Sequence, residues 1–265
     1  MNKNILITNS TLLFCIATIA TMTLHEGGHF MAALLVHAKN ASLHHNYASY
    51  TLEELPLQAQ LITVAGGLFL SLLLGIFFHI LCTLYSKRNL LFLFLLYMSA
   101  FGYIAFGGYL MIAPLFSNGD TGFICNALNF PIWLTILVAV GGVAFMFYTM
   151  KKLSCYFVEM ATPDIIIDNQ ERRAFFNTLI KFPLYFGIVI TTLLNLPVTA
   201  FISLVYPLCS PLNLLWSYGY CLDAEYSGPK INKTLNHLCK ISPVIIIAFV
   251  ITIIYNRLLV YGVHW

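Results

Sequence analysis

Charge is the scarcest property of this sequence. Only 9% of its 265 residues are Asp, Glu, Lys or Arg, whereas soluble domains carry about 25%. With 60% hydrophobic residues and a mean hydropathy of +0.84, the chain has too few polar side chains to cover a globule in water. The composition therefore predicts an integral, multi-pass membrane protein whose surroundings are the lipid bilayer.

The sequence also lacks the patterns that define several other classes. It shows no internal repeat, no low-complexity tract and no long Pro/Gly/Ser-rich linker, so a large separate soluble domain is not expected. The formal net charge is only +3, and the basic residues stand at the ends of apolar segments, which argues against nucleic acid as a partner. The seven cysteines form no CxxC pair and are expected to act mostly as small apolar residues; a disulfide among Cys125, Cys209 and Cys221 stays open.

Long apolar segments recur along the chain, and most of them are long enough to cross a bilayer. They predict an all-α polytopic fold with about six transmembrane helices. The predicted spans cover approximately residues 5–36, 57–85, 90–116, 130–150, 175–206 and 243–260. The fifth is either one span broken by Pro183 and Pro197 or a span followed by a re-entrant piece, and residues 207–240 are predicted to be interfacial.

Two polar intervals interrupt these segments. Residues 39–56 separate the first two spans, and their stretch ASLHHNYASYT alternates small, aromatic and β-branched residues, which predicts a short β-hairpin. Residues 154–173 hold much of the remaining charge and are predicted to form a solvated loop with a short amphipathic helix. We therefore divide the chain into a four-span membrane core, 1–153, and a C-terminal part, 154–265, whose role the sequence does not indicate.

Basic pairs predict the orientation of the spans. They stand at residues 87–88, 151–152 and 172–173, and positively charged loops favour the cytoplasmic side of a membrane. The third and fourth spans should then have both outer ends in the cytoplasm and the turn with Asp120 toward the other side. Counting back one span places the end of the first segment on the same side as Asp120.

The stretch HEGGH, at residues 25–29, lies in the second half of the first span. On a helix, an HExxH sequence places two imidazoles one turn apart on one face, so His25 and His29 can bind a single zinc ion. Glu26 is then the expected base that activates a zinc-bound water. Ionisable residues inside an apolar helix are costly unless they are paired or metal-bound, which favours a functional site over a polar cluster that only fixes helix packing.

A third protein ligand is needed, and the chain has few acids near apolar segments. Asp120, at the mouth of the fourth span and on the predicted side, is the leading candidate. Asp223 is the reserve candidate for the third ligand, and Glu225 is a weaker candidate. His44 and His45 lie in a polar loop, where histidines are more often hydrogen-bonded or solvated than ligating.

These motifs resemble those of the site-2 protease family of intramembrane zinc metalloproteases. The matching pieces are HEGGH in the first span, AGGLFLS early in the second and NGD after the third, within about the first 125 residues. The resemblance implies that His25, His29 and Asp120 bind Zn²⁺ and that Glu26 is catalytic. It also implies that the polar interval after the first span forms membrane-embedded β structure that presents a substrate strand.

The resemblance has departures. The family's Gly-Pro-x-x-Asn element, which enters the active-site region, corresponds here to Gly66, Gly67 and Ser71, and the resemblance implies that these residues bind the substrate. Gly67 stands where the family has proline, and Ser71 replaces or lies near its asparagine. Asp120 is followed by Thr121 where the family has glycine. The family's site opens toward the cytosol, whereas the charge pattern of this chain places the site nearer the outer face.

Two functions follow as expectations. The leading one is a zinc-dependent intramembrane endopeptidase that acts on membrane-protein or peptide substrates. The alternative is a non-proteolytic membrane scaffold, chaperone or transporter on the same fold, with a structural or vestigial metal site. Zinc content, together with the effect of changing Glu26 to Gln, separates the two.

Overall fold

The computed structural model describes residues 3–198, 202–223 and 240–265. It is 78% helical, with one small antiparallel sheet. The helices are α1 (Lys3–Leu35), α2 (Leu57–Leu84), α3 (Leu90–Ile112), α4 (Asp120–Ala127), α5 (Ile132–Val158), α6 (Pro163–Ile167), α7 (Asn169–Phe176), α8 (Phe182–Leu194), α9 (Ile202–Cys209), α10 (Leu214–Leu222) and α11 (Pro243–Leu258). The strands are β1 (Lys39–Leu43), β2 (Ala48–Thr51) and β3 (Val263–His264).

Six of the described helical stretches are long and apolar enough to cross a membrane, as the sequence predicts. Several of the predicted bounds differ from the observed ones, and the fifth span runs over Asn169–Leu194 rather than 175–206. α3 ends at Ile112 rather than near 116, because Pro114 follows closely and cannot continue a helix. α5 runs on to Val158, past the basic pair at 151–152, because long basic side chains are tolerated on the exposed face of a helix.

α1 and α3 form the centre of the bundle. Within their most apolar stretches, 72% and 78% of residues are buried, against 33% in α2, 22% in α5 and 17% in the span that contains α11. α1 packs against α2, α3, α8 and α11. The outer helices therefore expose apolar side chains along most of their surface, while α1 presents its polar second half to protein.

The predicted β-hairpin between the first two spans is present, and a third strand extends it. The sheet order is β2-β1-β3, with both neighbouring pairs antiparallel. Beyond β3, the backbone N–H of Trp265 donates to the carbonyl oxygen of Ala41 over 2.9 Å. The tip of the hairpin is anchored as well, since Asn46 Nδ2 donates to the Asn195 carbonyl oxygen over 2.9 Å. The sheet is therefore held at two places by residues of the C-terminal part of the chain, 154–265.

The fifth span has a defect at Pro183. Five residues, Asn177–Lys181, form a π-helical turn between α7 and α8. Proline has no N–H, and its ring clashes with the carbonyl group four residues earlier, which here belongs to Leu179. That carbonyl oxygen instead accepts a hydrogen bond from the buried hydroxyl of Tyr97 on α3. The helical stretch from α7 to α8 therefore continues beyond Pro183 as one span, and it ends at Leu194, before Pro197.

The remaining predictions for the C-terminal part have mixed outcomes. The charged interval 154–173 contains the end of α5, the short helix α6 and the beginning of the amphipathic helix α7, so it is more helical than the predicted loop. The interval 207–240 is described only at residues 207–223 and 240. Cys125, Cys209 and Cys221 are free thiols, which resolves the open question of a disulfide among them.

Candidate metal centre

The first helix presents two imidazoles to the interior of the bundle. His25 and His29 are one helical turn apart, so their side chains project from the same face of α1. They are 2% and 3% exposed, and their Nε2 atoms lie 3.2 Å from one another. The HExxH spacing thus brings two imidazole nitrogens to one point inside the protein.

Asp120 reaches the same point from another part of the chain. After α3 a short turn leads to Gly119, whose extended backbone precedes Asp120 as the first residue of α4. The Oδ2 atom of Asp120 lies 3.1 Å from Nε2 of His25 and 3.1 Å from Nε2 of His29. The structure therefore brings the three residues predicted as ligands together.

Helix α2 holds the opposite nitrogens of both rings. Nδ1 of His29 lies 3.1 Å from the backbone carbonyl oxygen of Thr63, and Nδ1 of His25 lies 2.9 Å from Oγ of Ser71. A carbonyl oxygen can only accept, so the His29 ring must carry a proton on Nδ1. In the neutral ring, Nε2 then presents its lone pair to the shared point. Hydrogen-bond partners of this kind fix the tautomer and orientation of imidazoles that bind metals.

When both imidazoles are neutral and carry no proton on Nε2, the three converging atoms are all hydrogen-bond acceptors. Acceptors 3.1–3.2 Å apart repel one another, so a proton or a cation must lie between them. A tetrahedral zinc ion with bonds of about 2.0–2.1 Å holds its ligand atoms roughly 3.3–3.4 Å apart. The observed separations are close to that spacing. The donor set of two imidazoles and one carboxylate therefore fits Zn²⁺.

The Asp120 carboxylate is in the form that a metal site requires. Its side chain is 18% exposed. Burial alone would raise the pKa of this carboxyl. When a proton rather than a metal lies between the three atoms, the positive charge on His29 and the hydrogen bonds from His25 and His29 more than offset burial and hold the pKa below its ordinary value. The group is therefore ionised at neutral pH, and an ionised carboxylate is the species that binds a divalent cation.

Glu26 faces a polar cavity that His25 and Asp120 also line. The cavity has a volume of about 140 Å³, which is enough for several water molecules. Oε2 of Glu26 accepts a 3.0 Å hydrogen bond from the backbone N–H of Ala48, the first residue of β2. A carboxylate with a fixed orientation and a space for water thus lie beside the three converging atoms.

Some residues around the site were not predicted from sequence. The ring of Tyr109 stacks on His25, with centroids 4.7 Å apart and planes 6° from parallel. Tyr206 also lines the cavity, and its hydroxyl lies 3.3 Å from Oγ1 of Thr21. Aromatic residues make up 15% of the chain, so no pattern distinguishes these two tyrosines. Thr63 acts through its backbone carbonyl, which side-chain motifs cannot reveal.

The element AGGLFLS packs directly against HEGGH. A Cβ added to Gly66 would lie 2.4 Å from the carbonyl oxygen of Gly28, and a Cβ added to Gly67 would lie 2.3 Å from Nε2 of His29. Only residues without side chains allow this approach of α1 and α2. The observed contacts of Gly66, Gly67 and Ser71 are thus with the histidine helix, and their predicted role in substrate binding stays a prediction.

The reserve candidates lie elsewhere. Asp223 is exposed and caps the C-terminus of α10, and it does not belong to the His25–His29–Asp120 group; Glu225 lies outside the described residues. Nε2 of His44 lies 3.2 Å from Oγ of Ser42, and Nε2 of His45 lies 3.0 Å from the Asn195 carbonyl oxygen. The two loop histidines are therefore hydrogen-bonded within the fold.

Comparison of the chain with models of known protein families, with curated proteins and with solved structures finds no significant match in any of the three. The resemblance to site-2 proteases accordingly stays a prediction drawn from the motifs.

Proposed function

We propose that this chain is an integral membrane protein and a zinc-dependent endopeptidase, similar to site-2 proteases, that cleaves membrane-protein substrates. The observation that carries the proposal is the convergence of three acceptor atoms within 3.2 Å of one another, beside a cavity that Glu26 also lines. Such groups in an apolar helix are costly unless something binds them, and they are functional by default.

The side chains of the site take distinct roles in this proposal. His25, His29 and Asp120 would hold the ion. Zinc would supply Lewis-acid polarisation of a carbonyl group and a lowered pKa for water. Glu26 takes a proton from the attacking water and returns it to the leaving amine. The Ala48 N–H keeps the Glu26 carboxylate directed at the cavity during these transfers.

An extended substrate segment fits the position of the sheet. β2 is an outer strand in the order β2-β1-β3, and outer strands present backbone groups that can pair with another chain. The first N–H of β2 is the one that contacts Glu26. A peptide that pairs along β2 would therefore pass close to the catalytic carboxylate, in agreement with the substrate-presenting role that the family resemblance implies.

The alternative is a scaffold, chaperone or transporter with a structural metal. Structural zinc sites are almost always closed by four protein ligands, whereas catalytic sites use three and leave one position open. The described group has three candidate ligands, and a cavity of about 140 Å³ adjoins two of them. This arrangement favours catalysis over a structural role.

The decisive experiment uses Glu26→Gln in purified protein reconstituted in liposomes with a panel of single-span membrane peptides. Wild-type protein should hold about one zinc per chain and cleave some of the peptides. Glu26→Gln should hold the same zinc and release no product, because the amide cannot accept the proton. Glu171→Gln, which removes an exposed carboxylate at the start of α7, is the matched control and should cleave at the wild-type rate.

Two outcomes contradict the proposal. Cleavage by Glu26→Gln at the original rate removes Glu26 from the mechanism. A wild-type chain that binds zinc but cleaves no peptide favours the scaffold, chaperone or transporter. Products are best identified by mass spectrometry, since it also gives the scissile bond.

A further inference from the structure

A second pocket lies beside the site cavity and shares two of its walls. It has a volume of about 320 Å³ and is formed by the end of α3 against α9, α10 and the turn that joins them. Tyr109 and Tyr206 line both this pocket and the site cavity. Since Tyr109 lies flat on His25 with ring centroids 4.7 Å apart, about one ring thickness separates the second pocket from a candidate ligand.

The lining of this pocket is apolar and uncharged. Met111, Ile112, Val205 and Trp216 contribute to its walls, and Ser210 and Asn213 add polar groups. Trp216 is held in place by stacking on an α5 phenylalanine, with centroids 4.1 Å apart. Ligand pockets of about 300–1,000 Å³ with mostly apolar walls and few polar groups bind apolar ligand parts. The volume also exceeds that of a single amino-acid side chain, so even the largest fits.

We propose, on the basis of the proposed function, that this pocket binds a large apolar side chain of the substrate, aromatic or long aliphatic, close to the scissile bond. An extended peptide advances about 3.3 Å per residue. A residue within about two positions of a carbonyl at the metal centre is therefore near enough to place its side chain behind Tyr109. The pocket would give the C-terminal part of the chain a defined role, the selection of the cleavage site.

Gly108 offers a way to fill the pocket without disturbing the backbone. It lines the pocket, and the nearest atom that an added Cβ would meet is Oγ of Ser210 at 3.8 Å, an ordinary contact. Gly108→Leu should therefore fold and occupy the space. Gly141→Leu on α5 is the matched control, because a Cβ there meets no atom within 4 Å and the residue is exposed.

For each position near the scissile bond, two peptides are compared that differ only in having Phe or Ala at that position. The measured quantity is the ratio of their kcat/KM values. Wild-type protein should prefer Phe at one position. Gly108→Leu should lower that Phe-to-Ala ratio about 10- to 100-fold, the factor expected when a large apolar side chain loses its burial. Gly141→Leu should keep the wild-type ratio.

A second readout does not depend on turnover. Cys209 lines the pocket and is an exposed free thiol, whereas Cys155 is an exposed free thiol on α5. In the Glu26→Gln protein, the Phe peptide should slow alkylation of Cys209, as measured by site-resolved mass spectrometry. The Ala peptide should protect it less, and alkylation of Cys155 should not change with either.

The outcomes separate this inference from the proposed function. If wild-type protein cleaves peptides but Gly108→Leu keeps the Phe-to-Ala ratio, the pocket does not select side chains and the inference is wrong. The same conclusion follows if Cys209 is alkylated equally fast with both peptides, as expected for a pocket filled by a lipid chain. If wild-type protein cleaves nothing while the Phe peptide alone protects Cys209, the proteolytic function fails and side-chain binding stands.

Discussion

Replacement of Gly67 by Ala tests the site through its most crowded contact. An added Cβ would lie 2.3 Å from Nε2 of His29, the atom proposed to bind the metal. Ordinary contact with a Cβ begins at 3.4 Å, so the ring nitrogen or the helix has to move by about 1.1 Å. The Thr63 carbonyl restrains the ring from its other side, over 3.1 Å, so the imidazole cannot simply slide along its plane without losing that hydrogen bond.

The size of the effect follows from the tolerance of zinc sites. Metal–ligand distances are expected within about 0.2 Å of their usual values, so a displacement near 1 Å removes His29 as an effective ligand. Loss of a partner that merely orients a ligand already costs 10- to 100-fold in metal affinity. We therefore expect Gly67→Ala to weaken zinc binding by at least about 100-fold. Overpacking should also destabilise the fold by about 1–3 kcal/mol.

Two control variants separate the metal effect from the packing effect. Gly187→Ala is a comparable overpacking, because its Cβ would meet the Phe14 ring at 2.2 Å, but it lies away from the candidate ligands. Gly27→Ala, inside HEGGH, meets nothing within 4 Å. Competition with a chromophoric chelator should show weakened zinc binding in Gly67→Ala alone. Equal zinc affinity in the Gly67 and Gly187 variants would refute the reasoning.

Three further predictions concern the groups that support the site. Ser71→Ala should lower zinc affinity about 10- to 100-fold in the same competition assay, because it removes the partner of Nδ1 of His25; wild-type affinity would show that this hydrogen bond is dispensable. Ala48→Pro should lower kcat by about tenfold to a hundredfold at unchanged zinc content, because it removes the N–H that holds Glu26. Hydrogen bonds to charged groups contribute about 1.5–3 kcal/mol. Ala48→Val, which keeps the N–H, is the control. Removal of zinc by a chelator should lower the melting temperature, and re-addition of zinc should restore it. The reason is that a ligand at 1,000 times its Kd stabilises the folded state by about 4 kcal/mol. In the control variant His25→Ala, the melting curves with and without chelator should be identical.

The number of spans was accessible from sequence because it depends on composition over long windows. A run of apolar residues reports its surroundings whatever its partners are, so the six long apolar helices could be predicted. The hairpin between the first two could be predicted from the local alternation of small, aromatic and β-branched residues. The histidine pair was accessible for a similar reason: helical geometry alone places residues 25 and 29 on one face.

Long-range contacts were harder to predict. Pro183 marked an irregularity in the fifth span, but its form depends on Tyr97, which lies far away in sequence and satisfies the freed carbonyl oxygen. β3 is only two residues long and carries no periodicity that distinguishes it from the end of a helix. The roles of Thr63 and Tyr109 depend on backbone direction and ring stacking, neither of which leaves a spacing pattern in the sequence.

The third strand of the sheet has a consequence for the order of assembly. β1 pairs with β3, which follows the last membrane-spanning helix, whereas β2 positions Glu26 near the start of the chain. During synthesis the hairpin therefore emerges long before the strand that completes its sheet. Because β1 lies between β2 and β3, we expect the sheet that orients Glu26 to be complete only after the final helix is inserted, so Glu26 would gain its final orientation late in synthesis.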